Sequence, residues 1–369
     1  MSGLVPATVR IIGTGLIGGS LGMALGAAGA DVQVQDISPG TTALAVELGV
    51  GRVPAPGDPD PELVIVAAPP DAAAQLIAEA LRTWPNALVT DAASVKGIVL
   101  DGVARAVGPE MLTRYIGAHP MAGREISGVI AARGDLFRGR PFVVVPHATT
   151  DPEAVALLQG IATAIGSVPV VLPAAEHDTA VAHVSHVPQV LSSLLATTLL
   201  DPDERALALA GQGLRDTTRI ADSDPRLWVE ILGANAAAVT SVLEGVRERM
   251  DDVLAALATM PGDPDPAVGS RRALAELISD GNRGVRRIPG KHGGASDAFA
   301  TVTVLVPDRP GELGRLFTEM GEIGVNLEDF RLEHNYGRQV GLGHLSVDAS
   351  REELLTRELS ARGWTVAES

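Results

Sequence analysis

The stretch that decides the fold is VRIIGTGLIGGSLGMALGAAGADVQVQD, residues 9–36. An apolar run, Val9–Ile12, ends in the glycine pattern of residues 13–18, and helix-forming residues follow as far as Gly29. A second apolar run then stops at Asp36. This order of strand, glycine turn, helix, strand and acid is typical of a dinucleotide-binding βαβ unit. The stretch therefore predicts a Rossmann domain in the N-terminal part of the chain.

Each glycine of this turn has a physical purpose. Gly13 permits the tight turn, Gly15 lets the backbone approach a pyrophosphate, and Gly18 lets the helix and strand pack closely. The N–H groups at the helix N-terminus and the helix dipole favour phosphate. We expect cofactor contacts from Gly13, Thr14, Gly15, Leu16, Ile17 and Gly18. Asp36, 23 residues after Gly13, is expected to hold a ribose 2′-hydroxyl and repel a 2′-phosphate, which favours NAD over NADP.

Composition limits the class of protein. The chain has 369 residues, is 46% hydrophobic and carries a formal net charge of −16, so two or three domains are expected and binding to nucleic acid or anionic membrane is disfavoured. There are no cysteines, which excludes disulfides and thiolate metal sites. We find no run of about 18 apolar residues and no basic signal region, and we expect a cytoplasmic protein.

The apolar runs continue beyond the glycine turn and alternate with helical patterns. Strands are predicted at Leu63–Ala67, Ala87–Thr90, Tyr115–Ala118, Phe142–Val145 and Val168–Leu172. Such alternation is typical of a doubly wound, mostly parallel α/β sheet. We assign residues 1–172 to this domain. Ligands of such sheets bind beyond the carboxyl ends of the strands.

Two further domains follow. Residues 173–280 have a helical period and no strand pattern, which predicts an all-helical domain; by analogy only, such a domain supplies a dimer interface. Residues 281–297 are polar, basic and glycine-rich, which indicates a linker. Residues 298–369 read as strand, helix, strand, strand, helix, strand, the βαββαβ order of a ferredoxin-like fold.

Two polar motifs follow predicted strands. DAASVKG, residues 91–97, places Ser94 and Lys96 at a strand end; the alternative role for Ser94 is a helix N-cap. GAHPMAGRE, residues 117–125, places His119 at the next strand end. A histidine there suits a general base or acceptor for a substrate hydroxyl. The alternative is a structural histidine.

Two motifs lie in the helical region. His183 and His186 are three residues apart, a spacing that could hold a metal on one helical face, but the absence of cysteine and of a nearby glutamate argues against a metal and favours a substrate contact by His186. Asp216 and Arg219 are also three apart. Arg219 suits a carboxylate-bearing substrate, and the alternative is an internal salt bridge.

Taken together, these motifs resemble the prephenate/arogenate dehydrogenases of tyrosine biosynthesis, in the form with a C-terminal ACT domain. The resemblance rests on GTGLIGGSLG, DAASVK, GAHPMAG, SHVPQ and GLRDTTRIADSDPRLW, which occur in the family's order. VPDRPGELGRLFTEMGEIGVNLEDF, residues 306–330, is similar to the start of an ACT domain. Nearly the whole chain is covered by this resemblance.

The resemblance implies a role for each motif residue. His119 becomes the catalytic histidine and Ser94 its partner. Substrate-binding roles follow for Lys96, Glu125, His186, Asp216, Arg219 and Trp228. It also implies a homodimer, and oxidation of prephenate by NAD with loss of CO2 to give 4-hydroxyphenylpyruvate. No metal is required, because formation of an aromatic ring drives the reaction.

Three alternative functions remain to be considered, and the residues present argue against two of them. Arogenate, with an amine in place of the keto group, could replace prephenate and give tyrosine directly. A β-hydroxyacid dehydrogenase would be expected to carry a catalytic lysine in the helical domain, and none occurs there. An amino-acid-sensing regulator on a dehydrogenase scaffold is the alternative from another class, and the intact glycine turn and His119 argue against it.

The C-terminal unit carries no catalytic cluster, so we expect a regulatory role. The turn before its first helix could take the carboxylate of an amino acid on free N–H groups. The resemblance implies an aromatic amino-acid effector, tyrosine first, bound near Gly311, Glu312, Leu313 and Asn326.

Overall fold

A computed structural model describes residues 5–123, 128–260, 268–289, 299–334 and 340–367. By their internal contacts the residues fall into two compact units. The first contains residues 1–200 and 218–245, and the second contains residues 201–217 and 246–369.

The first unit is built on a seven-stranded sheet with the strand order β2-β1-β3-β4-β5-β6-β7. The strands are β1 Thr8–Ile12, β2 Asp31–Gln35, β3 Leu63–Val66, β4 Leu88–Asp91, β5 Tyr115–Pro120, β6 Pro141–Val145 and β7 Val168–Val171. All neighbouring strands are parallel except β5 and β6, which are antiparallel. The predicted doubly wound, mostly parallel sheet is therefore confirmed. Its strand order reverses between β1 and β3, which is where ligands bind in such sheets.

Helices cover this sheet, and its central strands are buried on both faces. They are α1 Leu16–Ala27, α2 Pro39–Glu47, α3 Pro70–Thr83, α4 Gly97–Ala106, α5 Pro109–Leu112 and α6 Pro152–Ala164, with a 3₁₀ turn at Val129–Ala131. All four residues of β3, LVIV, are buried. Uninterrupted apolar runs such as this one form parallel strands because neither face meets water.

Helices follow β7, as the sequence predicts. They are α7 Ala174–Val181, α8 Val187–Thr197, α9 Glu204–Leu207, α10 Gln212–Thr218, α11 Pro225–Ala234, α12 Ala236–Ala258 and α13 Val268–Arg286. A π-helical turn, Ala182–His186, joins α7 to α8, and a 3₁₀ turn occupies Arg219–Ala221. Among the described residues between 172 and 289 there is no strand. The linker predicted to begin at 281 is wrong at its start, because α13 continues to Arg286; residues 290–297 of that segment lie outside the described residues.

The C-terminal part of the second unit has the predicted βαββαβ order. Its elements are β8 Phe299–Pro307, α14 Glu312–Ile323, β9 Asp329–His334, β10 Val340–Asp348, a 3₁₀ turn Ala349–Arg351, α15 Glu352–Ala361 and β11 Thr365–Ala367. The four strands form an antiparallel sheet in the order β11-β8-β10-β9. Alternate residues of β10 are buried, because one face of the sheet packs on the two helices. This is ferredoxin-like topology.

No single described helix is long and apolar enough to cross a membrane; α11 and α12 meet the length and composition requirement only as a pair, bent by 93°.

Candidate active site

The glycine turn after β1 leaves its backbone open to a ligand. Gly13 has φ +94°, and a Cβ there would lie 2.4 Å from the Ala67 carbonyl oxygen. A Cβ on Gly18 would lie 1.9 Å from the Gly13 carbonyl oxygen, whereas nothing lies within 4 Å of the corresponding position on Gly15. Gly15 caps α1 without a side-chain hydrogen bond, and the first turn of α1 contains no acid. These residues fit a dinucleotide, since phosphate can approach Gly15 and meet the N–H groups of α1.

Asp36 follows β2 directly and lies beside this turn. Its Oδ2 accepts hydrogen bonds from the N–H of Thr14 at 2.8 Å and the hydroxyl of Thr14 at 3.1 Å. Its Oδ1 accepts from the N–H of Ser38 at 3.0 Å. The carboxylate is therefore fixed at the end of β2, where a ribose of a dinucleotide is expected.

His119 lies near the carboxyl end of β5. Because β5 is parallel to β4, and β4 and β3 are parallel to β1, His119 and the glycine turn are at the same edge of the sheet. The residue is half-buried. Burial lowers the pKa of His119 well below its usual value, and the electrostatic effects of the neighbouring His177, Lys96 and His186 lower it further. The imidazole is therefore neutral at pH 7 and can accept a proton.

The nearest polar partner of His119 is another histidine. Nδ1 of His119 is 2.9 Å from Nε2 of His177, and the two rings meet edge to face with centroids 5.1 Å apart. His177 is fully buried. Its other nitrogen, Nδ1, donates to Oδ1 of Asp178 at 2.8 Å. Both residues lie near the start of α7, which begins at Ala174.

Asp178 caps a different helix from its own. Its carboxylate accepts the N–H of Lys96 and the N–H of Gly97, each at 2.8 Å, at the N-terminus of α4. Burial alone would raise the pKa of Asp178, but the hydrogen bonds from His177, Lys96 and Gly97 outweigh it and the pKa is lowered. Asp178 therefore remains ionised and connects α4 to the histidine pair.

Lys96 does not line the site, contrary to the role implied by the resemblance. Its side chain is 1% exposed and pairs with the fully buried carboxylate of Asp91. Its Nζ also donates to the Ala118 carbonyl at 2.6 Å, and Tyr115 donates its hydroxyl to Asp91 at 2.7 Å. A lysine in a loop between a strand and a helix can turn its side chain into the core when a buried carboxylate, here Asp91, pairs with it. Lys96 thus joins β4 to β5 directly before His119.

Ser94 lies in the loop between β4 and α4 and is half-buried. No hydrogen bond joins Ser94 to His119 within the described structure; Nδ1 of His119 faces His177 instead. The alternative role, capping of α4, is not observed either. Lys96 occupies the N-cap position and Asp178 supplies the cap.

His186 is buried at the end of the π-helical turn. Asn235 holds this segment: its Nδ2 donates to the Asp178 backbone carbonyl at 2.8 Å and lies 3.1 Å from Nδ1 of His186. Trp228 contacts the His186 ring edge to face, with centroids 6.2 Å apart. Burial lowers the pKa of His186, which Asp178 partly opposes. The structure thus brings His186 and Trp228 together.

The prediction that His183 and His186 share one helical face is wrong. His183 is exposed whereas His186 is buried, because the wider π turn separates residues that an α-helix would align. The described residues contain no group of three His, Asp or Glu side chains that could hold a metal.

The remaining substrate-binding residues predicted from the sequence are exposed or lie outside the described residues. Arg219 is exposed, so its position in the fold does not by itself require an anionic substrate. Asp216 accepts a hydrogen bond from Gln212 at 2.8 Å and lies 4.0 Å from Arg331 of β9. Glu125 lies outside the described residues.

The turn before α14 is a second candidate site. Gly311 caps α14 at φ +93° without a side-chain hydrogen bond, and nothing lies within 4 Å of its Cβ position. Glu312 pairs with Arg315 at 3.1 Å. Asn326 precedes β9 rather than lying on it, and donates to Glu328 at 2.8 Å. Leu313 packs against the core of this domain.

Sequence reasoning missed His177 and Asn235 as parts of the site. The signal for His177 was its adjacency to an acid, HD, which can orient an imidazole. Asn235 had no local signal, because its partners are 57 and 49 residues away.

Comparison with known proteins identifies the family of this chain. Residues 21–171 match the nucleotide-binding domain of prephenate dehydrogenase, and residues 173–264 match its dimerization domain. The probable prephenate dehydrogenase NovF of Streptomyces niveus is 36% identical over 97% of this chain and 98% of its own.

Solved structures agree with this assignment. Prephenate dehydrogenase from A. aeolicus, in complex with hydroxyphenyl propionate and NAD+, is 26% identical with a TM-score of 0.65, over 76% of this chain and 99% of its own. Synechocystis arogenate dehydrogenase is 25% identical with a TM-score of 0.61, over 75% of this chain and 99% of its own. From the glycine turn, the histidine at the sheet edge and these similarities together, we conclude that the chain belongs to the prephenate dehydrogenase family.

Proposed function

We propose that this protein oxidises prephenate to 4-hydroxyphenylpyruvate and CO2, with NAD as the hydride acceptor, in tyrosine biosynthesis. Membership of the family supports this activity. The observation that carries it is His119, a neutral imidazole at the same sheet edge as an open glycine turn. The protein is accordingly an NAD-dependent oxidoreductase.

NAD, which the glycine turn of residues 13–18 and Asp36 would hold, would supply the acceptor for the hydride that leaves C4 of the substrate. His119 accepts the proton of the C4 hydroxyl, whose oxygen becomes a carbonyl oxygen as the hydride leaves. The C1–carboxylate bond then breaks, CO2 departs, and its electron pair enters the ring as the ring becomes aromatic. The former hydroxyl oxygen regains the proton from His119. The proton therefore returns to the oxygen that lost it, and His119 ends the cycle neutral.

Other residues are proposed to bind ligands. Asp36, with its fixed carboxylate, would hold the ribose 2′-hydroxyl of NAD and repel the 2′-phosphate of NADP. His186 and Trp228 would contact the substrate, and Arg219 would pair with a substrate carboxylate. Ser94 was expected to be the partner of His119; we propose instead that it contacts the substrate hydroxyl, since its loop follows the end of β4.

Association and regulation complete the proposal. A homodimer is supported by the match to a dimerization domain and by exposed leucines on α8, of which Leu194 is 56% exposed. We propose that the C-terminal unit is an ACT domain that binds an aromatic amino acid at the open turn of Gly311. Its ferredoxin-like topology and the free approach to that backbone support this role.

The deciding experiment measures NADH or NADPH production with four combinations of substrate and cofactor, namely prephenate or arogenate with NAD or NADP. We expect turnover with prephenate and NAD. Arogenate is the second candidate because a structural relative is an arogenate dehydrogenase. Turnover of arogenate alone would replace prephenate in the proposal, and turnover of neither would reject the activity.

A further inference from the structure

We infer that His177, held by Asp178, fixes the proton of His119 on Nδ1 and thereby leaves Nε2 of His119 free to accept the substrate hydroxyl proton. His177 and Asp178 are thus positioning residues. This inference rests on the proposed function, in which His119 is the base.

The proton assignment begins at Asp178. Its carboxylate already accepts two backbone N–H groups, those of Lys96 and Gly97, both at 2.8 Å. An ionised carboxylate can only accept hydrogen bonds. The two donors also stabilise the ionised form, and the pKa of Asp178 is lowered in spite of burial. The atom of His177 that faces Oδ1 of Asp178 at 2.8 Å must therefore carry a proton.

That atom is Nδ1 of His177. With a single proton on its ring, as in a neutral imidazole, His177 has a lone pair on Nε2, and this lone pair accepts a hydrogen bond. Its partner at 2.9 Å is Nδ1 of His119, which must then be the donor. His177 is fully buried, so no water competes for this lone pair. A neutral His119 with its proton on Nδ1 has an unprotonated Nε2.

The same network also holds the ring in place. The backbone of Lys96 binds Asp178, while its Nζ binds the carbonyl of Ala118, the residue before His119. His119 is thus fixed through its ring by α7 and through its backbone by Lys96. The charged or titratable groups facing it are His177 and Asp178 of α7, His186 of the π turn, and Lys96. Histidine orientation by a carboxylate in this way is common at sites where one ring nitrogen must stay free.

Two substitutions of His177 distinguish a role in positioning His119 from a role in packing alone. His177→Phe keeps a ring in the buried space but removes the acceptor. His177→Gln restores an acceptor, because its amide oxygen is as many bonds from Cβ as Nε2 of histidine. His183→Gln is the matched control, since His183 is exposed in the following turn. Each full-length variant is assayed with prephenate and NAD, and ¹⁵N NMR of labelled histidine reports the His119 tautomer.

We expect His177→Phe to lower kcat by about 10- to 100-fold, a smaller loss than the 10²–10⁴-fold expected when the general base itself is removed, with little change in KM. His177→Gln should recover most of kcat, and His183→Gln should match the wild type. In the wild type, ¹⁵N shifts should show Nδ1 of His119 protonated and Nε2 bare.

Contrary results are equally specific. A proton on Nε2 of His119 in the neutral wild type would overturn the inference whatever the activity. Unchanged kcat in His177→Phe, or an equally low kcat in His177→Phe and His177→Gln, would also overturn it. If NMR shows the expected tautomer but prephenate is not oxidised, the proposed function fails and the proton assignment stands.

Discussion

Nζ of Lys96 lies 2.6 Å from the backbone carbonyl of Ala118, directly before His119. The same ammonium pairs with Asp91, and both side chains are almost fully buried. The second of the two lysines in this sequence, Lys291, lies outside the described residues. The Lys96 side chain therefore holds the end of β5 that carries His119, and does not contact the substrate.

Replacement of Lys96 should weaken the fold. Lys96→Met leaves the buried carboxylate of Asp91 without a cation, with hydrogen bonds only from the Tyr115 hydroxyl and the Ala93 N–H, and breaking a buried pair costs about 3–5 kcal/mol. The free energy of unfolding, measured in denaturant, should fall by this amount. Arg105→Met, an exposed change on α4, is the control. A stability loss no larger than that of the control would contradict the buried pair.

Activity should persist to unusually low pH. Burial, together with the electrostatic effects of His177, Lys96 and His186, lowers the pKa of His119 well below 6.5. Neutral His119 is the active form, so kcat stays constant as pH falls towards the lowered pKa and declines only below it. A profile of kcat against pH checks this expectation. An acid limb at or above pH 6.5 that belongs to His119 would contradict it.

Much of this organisation could be predicted from the sequence, because its signals are local. Buried parallel strands appear as apolar runs such as LVIV of β3, and the glycine turn is set by residues a few positions apart. The inward turn of Lys96 could not be predicted, since Asp91 and Ala118 become its partners only when β4 and β5 pair. The π turn before His186 was also missed, because helical spacing alone assumes an α-helix.

Cofactor preference depends on Asp36. Asp36→Ser removes the negative charge beside Thr14, so a 2′-phosphate should meet less repulsion. We expect the ratio of kcat/KM for NAD to that for NADP to fall by about tenfold or more, equivalent to about 1.4 kcal/mol. Ser38→Ala, which keeps the charge, is the control. An unchanged ratio in Asp36→Ser would remove Asp36 from the cofactor site.

Regulation is expected to require residues 299–367. Tyrosine or phenylalanine should bind the full-length protein in calorimetry and change its activity, with a coupling free energy of about 1–3 kcal/mol. A chain truncated near residue 290 should remain active and lose the response. Absence of binding to the full-length chain would end the effector proposal. Equal inhibition of both forms would place the amino acid at the active site instead.

The central claim is that His119 is the base for oxidation of prephenate by NAD, and His119→Asn tests it most directly. The measurement is kcat for NADH production from prephenate, with NAD binding measured in parallel by calorimetry. We predict that kcat falls by about 10²–10⁴-fold, the range for a lost general base, while the Kd for NAD stays within about twofold because the glycine turn is untouched. A near-wild-type kcat in a variant that binds NAD normally would contradict the account and make His119 a structural residue.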